Sequence, residues 1–365
     1  MRVEKETIRA EYRAYAKVNL ALAVGGLRPD GYHDISTVMV PVGIFDLVSV
    51  RAEPAGMSSK SARGDVRAGG DAWGDPRAGL EVYLSCPGLP DVPPQKNLAY
   101  IAASRFLGKT GARLRVSISV DKRIPPGAGL GGGSSDAAAV LAALNCLARP
   151  EHRLSAGDLL SIAASVGADV PFLVGCNLRP PLWEGALCTG IGEKVRPVHI
   201  PNMWLVIAFP DAPVSTGQAY ALLDSLRNEG KNPSFSPALS YRWTSSCARS
   251  SGVESGEEVL DGRVREFLDV LSSGDIHEVS RALFNDLELA AVKIRPEIAR
   301  LKRMFYDCGA LGASMTGSGS AVFGIAGSKP EAEGLRTGLE CVAARAGLRL
   351  RDVIVVKTGV EHNGC

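Results

Sequence analysis

Apolar and polar residues along this chain follow two spacings, one typical of strands and one typical of helices. β-Branched and aromatic residues crowd 12–24 and 35–51, so two strands are predicted there, with the turn Arg28-Pro29-Asp30-Gly31 between them. Further strands are predicted at 80–84, 114–120, 204–209, 321–325 and 351–357. Helices are predicted at 97–107, 156–166, 217–226, 258–271 and 296–306, with another ending near Leu147 and one after Pro330. This mixture predicts an α+β fold.

Two long stretches interrupt the pattern. Residues 53–79 and 227–257 are dominated by small, polar and charged residues with little to bury, and we expect both to be exposed insertions. A chain of 365 residues can bury a large core, and its length fits two domains or one long domain with insertions. We place these domains at 1–200 and 201–365, because the strand at 204–209 begins a second set of strands and helices.

Composition and charge narrow the class of protein. Hydrophobic residues make up 45% and charged residues 22%, as in ordinary globular enzymes. The net charge of +2 gives no electrostatic reason to expect a nucleic acid or a membrane as partner, and no apolar run is long enough to cross a bilayer. The first residues carry no hydrophobic signal segment, the eight cysteines include no C-x-x-C pair, and no histidine has metal-ligand spacing. We therefore expect a cytoplasmic protein with reduced thiols.

The segment from Pro125 to Asp136 is the most distinctive feature of the chain. Its sequence is PPGAGLGGGSSD, and apolar residues at helical spacing follow it. Glycines lack a Cβ atom, so consecutive N–H groups can turn towards an anion. Ser134 and Ser135 are good N-cap residues for the helix that ends near Leu147. The loop and the helix N-terminus together predict a phosphate-binding site.

Three alternatives to this phosphate-binding segment are weaker. Gly127, Gly129 and Gly132 satisfy G-x-G-x-x-G, but the second strand with a terminal acid that a dinucleotide-binding unit requires does not follow the helix. The triplet 108–110 has the sequence that ends a P-loop, but it follows a helix rather than a strand. Position 103, where a P-loop has its first glycine, is alanine. A simple surface turn would not need two serines and a strong helix at its exit.

Four further segments place isolated polar residues among small and apolar ones: Lys17, Tyr32-His33, Asp169 and the loop 316–320. Each has a plain structural alternative, such as the solvent face of a strand for Lys17 and a helix cap for Asp169. Phosphoryl transfer would use all four, because it needs phosphate positioning, a carboxylate that accepts the proton of the attacking hydroxyl, and a cation near the developing charge. Asp169 and Lys17 are the charges best placed for the last two roles.

Three segments resemble the motifs of the GHMP small-molecule kinases: 16–20, 125–139 and 312–323. Within that superfamily, the sequences RPDGYH, GGGSS and GADVPF resemble those of one branch. Enzymes of this branch phosphorylate the 2-hydroxyl of a cytidyl-diphosphate methylerythritol in non-mevalonate isoprenoid synthesis. The resemblance implies a two-lobed fold with an S5-like N-terminal domain and a ferredoxin-like C-terminal domain. It also implies that ATP and Mg²⁺ are the cofactors and that the binding partner is a small-molecule substrate. The protein would be a monomer or a homodimer.

The resemblance also implies roles for single residues. Asp169 would be the catalytic base and Lys17 its partner, with Asn19 lining the same pocket. Residues on the cytidine side would be Tyr32 and Tyr220 by stacking, His33 by a hydrogen bond to the base, and Thr216. Residues on the ATP side would be Asn97, Lys122, Pro126, Gly127, Ala128, Gly129, Leu130, Gly131, Gly132, Gly133, Ser134, Ser135, Gly317 and Ser318. Ser134 or Ser135 would lie near Mg²⁺, and we assign Ser135 to it.

Three rival functions stay open. Another GHMP kinase would act on homoserine or mevalonate, but neither substrate carries a base for Tyr32, His33 and Tyr220 to contact. A GHMP-fold protein that only binds a ligand would not need Asp169 and Lys17, and a relative that binds RNA would need a basic surplus that this chain lacks.

Overall fold

The computed structural model describes residues 8–55, 81–211, 213–230 and 260–360, so most of both predicted insertions, 53–79 and 227–257, lies outside the described residues. Its strands are β1 (Ile8–Leu27), β2 (His33–Pro54), β3 (Glu81–Ser85), β4 (Leu114–Asp121), β5 (Ala186–Thr189), β6 (Lys194–Pro197), β7 (Trp204–Pro210), β8 (Phe284–Asn285), β9 (Gly312–Met315), β10 (Val322–Ala326) and β11 (Leu350–Lys357). Its helices are α1 (Leu98–Thr110), α2 (Gly132–Leu147), α3 (Ala156–Val166), α4 (Val170–Asn177), α5 (Thr216–Asn228), α6 (Gly262–Ser273), α7 (Ile276–Arg281), α8 (Glu288–Ile294), α9 (Glu297–Asp307) and α10 (Lys329–Arg345). Among these described helices, none has the length and apolar character that a membrane span requires.

The first sheet has the strand order β3-β4-β2-β1-β8, and β5 and β6 extend it from β2. Strands β1 and β2 pair antiparallel along most of their length, and both are longer than predicted. Glu53, which we had assigned to an insertion, instead pairs with Arg115 of β4. That boundary prediction was wrong because the neighbouring strand supplies the pairing, which local composition does not reveal.

Helices α1, α2 and α4 pack on the first sheet, and α3 packs on these three helices. Helix α2 packs against α1, α4 and β1, and this position explains why it is apolar almost all round. The side chains of Phe106, Leu141 and Phe172 are fully buried between these layers. The phosphate-loop segment identified in the sequence therefore leads into the central helix of the lobe.

The second sheet is antiparallel with the order β11-β7-β10-β9. The elements β7, α5, β9, β10, α10 and β11 follow one another as strand–helix–strand–strand–helix–strand, with four helices and the short strand β8 described between α5 and β9. This order is that of a ferredoxin-like domain, so the predicted two-lobed α+β architecture is confirmed. The division of the chain at residue 200 stays a prediction.

A shared apolar layer joins the two lobes. Val18 and Leu20 of β1 belong to the same buried cluster as Ile207 of β7 and Phe323 of β10. In addition, β8 pairs parallel with β1 and so brings a segment of the second half of the chain into the first sheet. The two lobes therefore share one continuous core along β1.

A buried ionic cluster fixes this junction. Asp286, directly after β8, accepts hydrogen bonds from Arg263 Nη1 at 2.6 Å, from Arg263 Nη2 at 2.8 Å and from the Val24 N–H at 3.0 Å. Arg227 Nη2 donates to the Val24 carbonyl at 2.6 Å. Arg227 was predicted to begin an insertion, but it lies in α5 because its guanidinium is anchored on β1.

Asp286→Ala should lower the free energy of unfolding by about 3 kcal/mol, because it removes a carboxylate shared by two partly buried guanidinium groups and leaves Arg263 with Asp261 alone. Urea denaturation would measure the loss. Glu333→Ala is the matched control, since its bond to Arg336 is exposed and should contribute no more than about 1 kcal/mol. Equal losses in the two variants would contradict the role given to Asp286.

Candidate active site

The glycine loop turns into α2 earlier than the sequence suggested. Gly131 is the N-cap, with a positive φ of 69°, and the Ser135 N–H donates to the Gly131 carbonyl at 2.8 Å. Ser134 and Ser135 therefore lie inside the first turn, and their prediction as N-caps was wrong. Glycine readily adopts the left-handed conformation that starts the helix here. Because the helix starts at this residue, the N–H groups of residues 131–134 have no intrahelical partners. Such N–H groups, together with the helix dipole, are able to bind an anion.

The two glycine-bearing loops are in direct contact. Gly129 has a φ of 79°, and a Cβ atom there would lie 2.3 Å from the Thr316 carbonyl oxygen. The Ala321 N–H donates to the Ala128 carbonyl at 3.2 Å. The predicted phosphate loop and the loop 316–320 therefore face each other across the lobe junction, and only glycine allows this approach at position 129.

Lys17 and Asp169, far apart in the sequence, lie side by side. Lys17 Nζ is 3.5 Å from Asp169 Oδ2, the lysine side chain is 4% exposed and the aspartate side chain 28%. The Lys17 N–H donates to the Leu130 carbonyl at 3.1 Å. A Cβ atom on Gly131 would lie 3.2 Å from Lys17 Cε and 3.5 Å from Asp169 Oδ2. The two charges thus meet at the start of α2, beside its free N–H groups.

Neither structural alternative for these two residues holds. Lys17 is buried rather than on a solvent face. Asp169 precedes α4, but among the described residues its side chain caps no helical N–H. The carboxylate is therefore available to a ligand.

Asn19 connects Lys17 to the loop of the second lobe. Its Oδ1 accepts from Lys17 Nζ at 2.7 Å and from the Gly317 N–H at 3.0 Å, and its Nδ2 donates to Thr37 Oγ1 at 2.8 Å. From the other side, Asn285 Nδ2 donates to the carbonyls of Met315 and Gly317, each at 2.8 Å. The sequence analysis missed Asn285 because its partners are about 30 residues away and no local pattern marks them.

The predicted cytidine-side residues form a second group. The His33 and Tyr220 rings stack with centroids 5.0 Å apart and an interplanar angle of 27°, while Tyr32 is 59% exposed. Tyr220 was predicted to stack on the base, yet one face of its ring is already taken by His33. Burial raises the pKa of Tyr220 to about 12, and the negative charge of Asp169 contributes to this shift.

This group also meets the loop of the second lobe. Thr216, at the start of α5, lies with its Oγ1 2.8 Å from Ser318 Oγ. Asp224, which the sequence analysis missed, accepts from His33 Nε2 at 2.9 and 3.1 Å. An acidic residue on an amphipathic helix gives no sequence signal beyond a solvent-facing position.

Of the predicted adenine-side residues, Lys122 is the most constrained. Its ammonium lies between Asp46 and Asp136, bonded to the Oδ2 of each, the latter at 2.8 Å, and all three side chains are almost fully buried. Asp46 also accepts from the N–H groups of Arg123 and Ile124. Asn97 caps α1 through an Oδ1 bond to the Ala99 N–H at 3.0 Å. Both predicted residues thus have structural partners, and neither Asp46 nor Asp136 had been predicted.

The cluster of Asp46, Lys122 and Asp136 contains one more carboxylate than cation. Burial and the negative charge of Asp46 together raise the pKa of Asp136 to about 7, against the opposing effect of Lys122. Asp136 Oδ1 is buried without a hydrogen-bond partner in the described residues. The two carboxylates outweigh the effect of burial on Lys122 and raise its pKa.

Ser135 is not suited to the magnesium role assigned to it. Its side chain is fully buried, and its hydroxyl donates to the Tyr15 carbonyl at 2.6 Å. The Ser134 side chain, one residue earlier, is only partly buried. Among the described residues there is no cluster of three or more His, Cys, Asp or Glu side chains that would hold a metal ion by itself. A magnesium ion carried by a triphosphate needs few protein ligands, so Ser134 and Asp169 are compatible with one.

Asp136→Asn should remove a pH dependence of stability. Because the pKa of Asp136 is raised from 3.8 to about 7 on folding, the wild-type free energy of unfolding should fall between these two pH values as the pH rises. The variant has no proton to lose there, so its stability relative to wild type should increase over that window. Urea denaturation at about pH 5 and about pH 8 without nucleotide measures this, with the exposed Asp269→Asn as control. A wild-type-to-variant difference that stays constant with pH would contradict it.

Comparison with known proteins places these residues in a family context. Residues 97–175 match the family model "GHMP kinases N terminal domain", and residues 267–343 match "GHMP kinases C terminal". The 4-diphosphocytidyl-2-C-methyl-D-erythritol kinase of Desulfitobacterium hafniense is 37% identical over 325 residues, which cover 88% of this chain and 89% of that one. The enzyme of the same name from Symbiobacterium thermophilum is 36% identical over 86% of this chain and 90% of its own length.

Solved structures are similar along almost the whole chain. A crystal structure of 4-(cytidine 5'-diphospho)-2C-methyl-D-erythritol kinase superposes with a TM-score of 0.63 and 30% identity, covering 96% of this chain and all of that one. Homoserine kinase from Cytophaga hutchinsonii gives a TM-score of 0.63 at 18% identity, with 98% and 97% of the two chains covered. At that identity the second likeness shows the fold alone.

Proposed function

Because this chain belongs to the GHMP kinases, we propose that it transfers the γ-phosphoryl group of ATP to the 2-hydroxyl of 4-diphosphocytidyl-2-C-methyl-D-erythritol. Relatives that are 37% and 36% identical to it over the aligned residues are named 4-diphosphocytidyl-2-C-methyl-D-erythritol kinase. The observation that carries the proposal within the site is the 3.5 Å approach of Lys17 Nζ to Asp169 Oδ2 beside Gly131.

The site residues can divide the work of phosphoryl transfer among them. The unpaired N–H groups of residues 131–134 bind the triphosphate, since they present partial positive charge without a desolvated cation. Asp169 accepts the proton of the attacking hydroxyl, and the buried ammonium of Lys17 stabilises the negative charge that develops near it. Asn19 holds that ammonium in place through its 2.7 Å bond.

The proposal includes a magnesium ion carried by the triphosphate, and Ser134 is the serine that would lie near it. When bound, the ion neutralises charge on the phosphate oxygens and makes the γ-phosphorus easier to attack. In the same way, we keep as predictions a cytoplasmic location, a monomer or homodimer, and the absence of a nucleic-acid partner.

The cytidine end of the substrate is assigned to the group around His33. Tyr32, the residue before His33, is an exposed aromatic side chain. Stacking on such a face is tolerant of which base is bound, whereas a hydrogen bond between His33 and the base reads the edge of that base. This group of residues favours a substrate that carries a nucleotide over mevalonate or homoserine.

The proposal is tested by ADP release from purified protein with ATP and three acceptors in parallel. Turnover should occur with the cytidyl-diphosphate methylerythritol and be at background with mevalonate and homoserine. Preferred turnover of either small acceptor would move the chain to another branch of the family. Nucleotide binding with no turnover of any acceptor would favour a protein that only binds ligands.

Asp169→Asn should lower kcat by about a hundredfold or more, because the amide cannot accept the hydroxyl proton, while ATP affinity stays within about threefold. Steady-state kinetics and calorimetric ATP titration give the two values. Asp269→Asn, on the exposed face of α6, is the control and should leave both unchanged. Normal turnover in the Asp169 variant would remove this residue from the role of base.

Tyr32→Ala should raise KM for the cytidyl substrate roughly 5- to 100-fold, the range expected for loss of base stacking, and change KM for ATP by less than about twofold. Leu27→Ala is the matched control, since Leu27 is an equally exposed apolar side chain on the same hairpin. Equal effects of Tyr32→Ala on both KM values would contradict a role in binding the base.

A further inference from the structure

We propose that Asp224 is a positioning residue that makes the nucleobase subsite select cytosine over uracil, by keeping the proton of the His33 imidazole on Nε2. The inference rests on the proposed function, because it assumes that His33 faces the base of the substrate. It adds a residue that the sequence analysis did not identify.

The geometry of the contact fixes the ring and its proton. Both oxygens of Asp224 lie within hydrogen-bond distance of His33 Nε2, at 2.9 and 3.1 Å. An ionised carboxylate only accepts hydrogen bonds, so Nε2 must be the donor. In a neutral imidazole with its proton on Nε2, the other nitrogen, Nδ1, presents a lone pair.

A single helix supplies both supports of this ring. Tyr220 and Asp224 are four residues apart on α5 and therefore lie on the same face of the helix. Tyr220 covers one face of the His33 ring by stacking, and Asp224 holds its Nε2 edge. The ring can neither tilt nor turn over without losing one of these contacts.

The Nδ1 edge is the one left for a ligand. In the part of the chain that the structure describes, the His33 ring makes its hydrogen bonds through Nε2. The Nδ1 atom has no such partner there and is not fully buried. Solvent or a ligand can therefore reach Nδ1. The exposed ring of Tyr32, the preceding residue, lies at the same end of β2.

An Nδ1 lone pair distinguishes the two pyrimidines. Cytosine carries an exocyclic amino group, a donor, at the position where uracil carries a carbonyl oxygen, an acceptor. The lone pair accepts from the amino group but repels the carbonyl oxygen. A subsite whose buried polar groups match one ligand rejects the ligand with the opposite pattern, because the mismatched groups are left unpaired.

The test uses binding of CDP and UDP, which does not depend on turnover. Calorimetry on the wild type should give a Kd for CDP at least about tenfold below that for UDP. In Asp224→Asn, the amide can also donate to Nε2 and so permits the opposite tautomer. The preference for CDP should then fall by about fivefold or more, with ATP affinity unchanged. Asp34→Asn, an exposed carboxylate next to His33 that bonds Arg28, is the matched control and should keep the wild-type preference.

A spectroscopic readout separates this role from a purely structural one. The ¹⁵N shifts of labelled histidines distinguish the two tautomers and the imidazolium, and His33→Gln assigns the signal among the five histidines. The wild type should show the proton on Nε2, and Asp224→Asn should show an increased share on Nδ1. An imidazolium or an Nδ1–H ring in the wild type, or an unchanged CDP preference in Asp224→Asn, would overturn the inference. Selective CDP binding without kinase turnover would instead overturn the proposed function and leave the role of Asp224 intact.

Discussion

The position of the Lys17 ammonium is the constraint on which the site depends. A lysine that is 3% exposed in the middle of a strand is costly unless a partner compensates its charge. Its partners are Asn19 on the same strand and Asp169 at the start of α4, and the absence of a side chain at Gly131 leaves room for both. Strand β1, the glycine loop and α4 must therefore come together for the lysine to be buried at all. The same requirement places a carboxylate and an ammonium beside unpaired helix N–H groups.

Residues of the lobe junction also form part of the candidate site. Gly129 touches the loop 316–320, and Asn19 and Asn285 hold that loop from opposite sides through hydrogen bonds to its backbone. Asn285 is followed directly by Asp286, whose carboxylate binds Arg263 and β1. The residue that bonds the loop 316–320 and the carboxylate of the ionic cluster are thus consecutive in the chain. A change that loosens one lobe against the other would also move the two glycine loops apart.

Most of the fold could be predicted from the sequence, because the apolar spacing of each strand and helix is local information. The helix 156–166 and the strands around 114–120 and 204–209 were predicted within one residue of their ends. Predictions failed where tertiary contacts decide the outcome. Pairing with β4 keeps Glu53 in the sheet, and a left-handed glycine starts α2 before the serines.

The chemistry of the site divides in the same way. Motifs pointed to Lys17 and Asp169, and the structure brings these two together. Asp46, Asp224 and Asn285 could not be predicted, since each acts through a partner that is distant in sequence and none lies in a distinctive pattern. The burial of Ser135 likewise depends on its bond to Tyr15, 120 residues away.

A crystal structure of the complex with a non-hydrolysable ATP analogue and the cytidyl-diphosphate methylerythritol tests the central claim most directly. The account predicts phosphate oxygens on the N–H groups of residues 131–134 and the acceptor hydroxyl within hydrogen-bond distance of Asp169, with Lys17 beside it. A triphosphate bound away from the glycine loop, or an acceptor hydroxyl out of reach of Asp169, would contradict it.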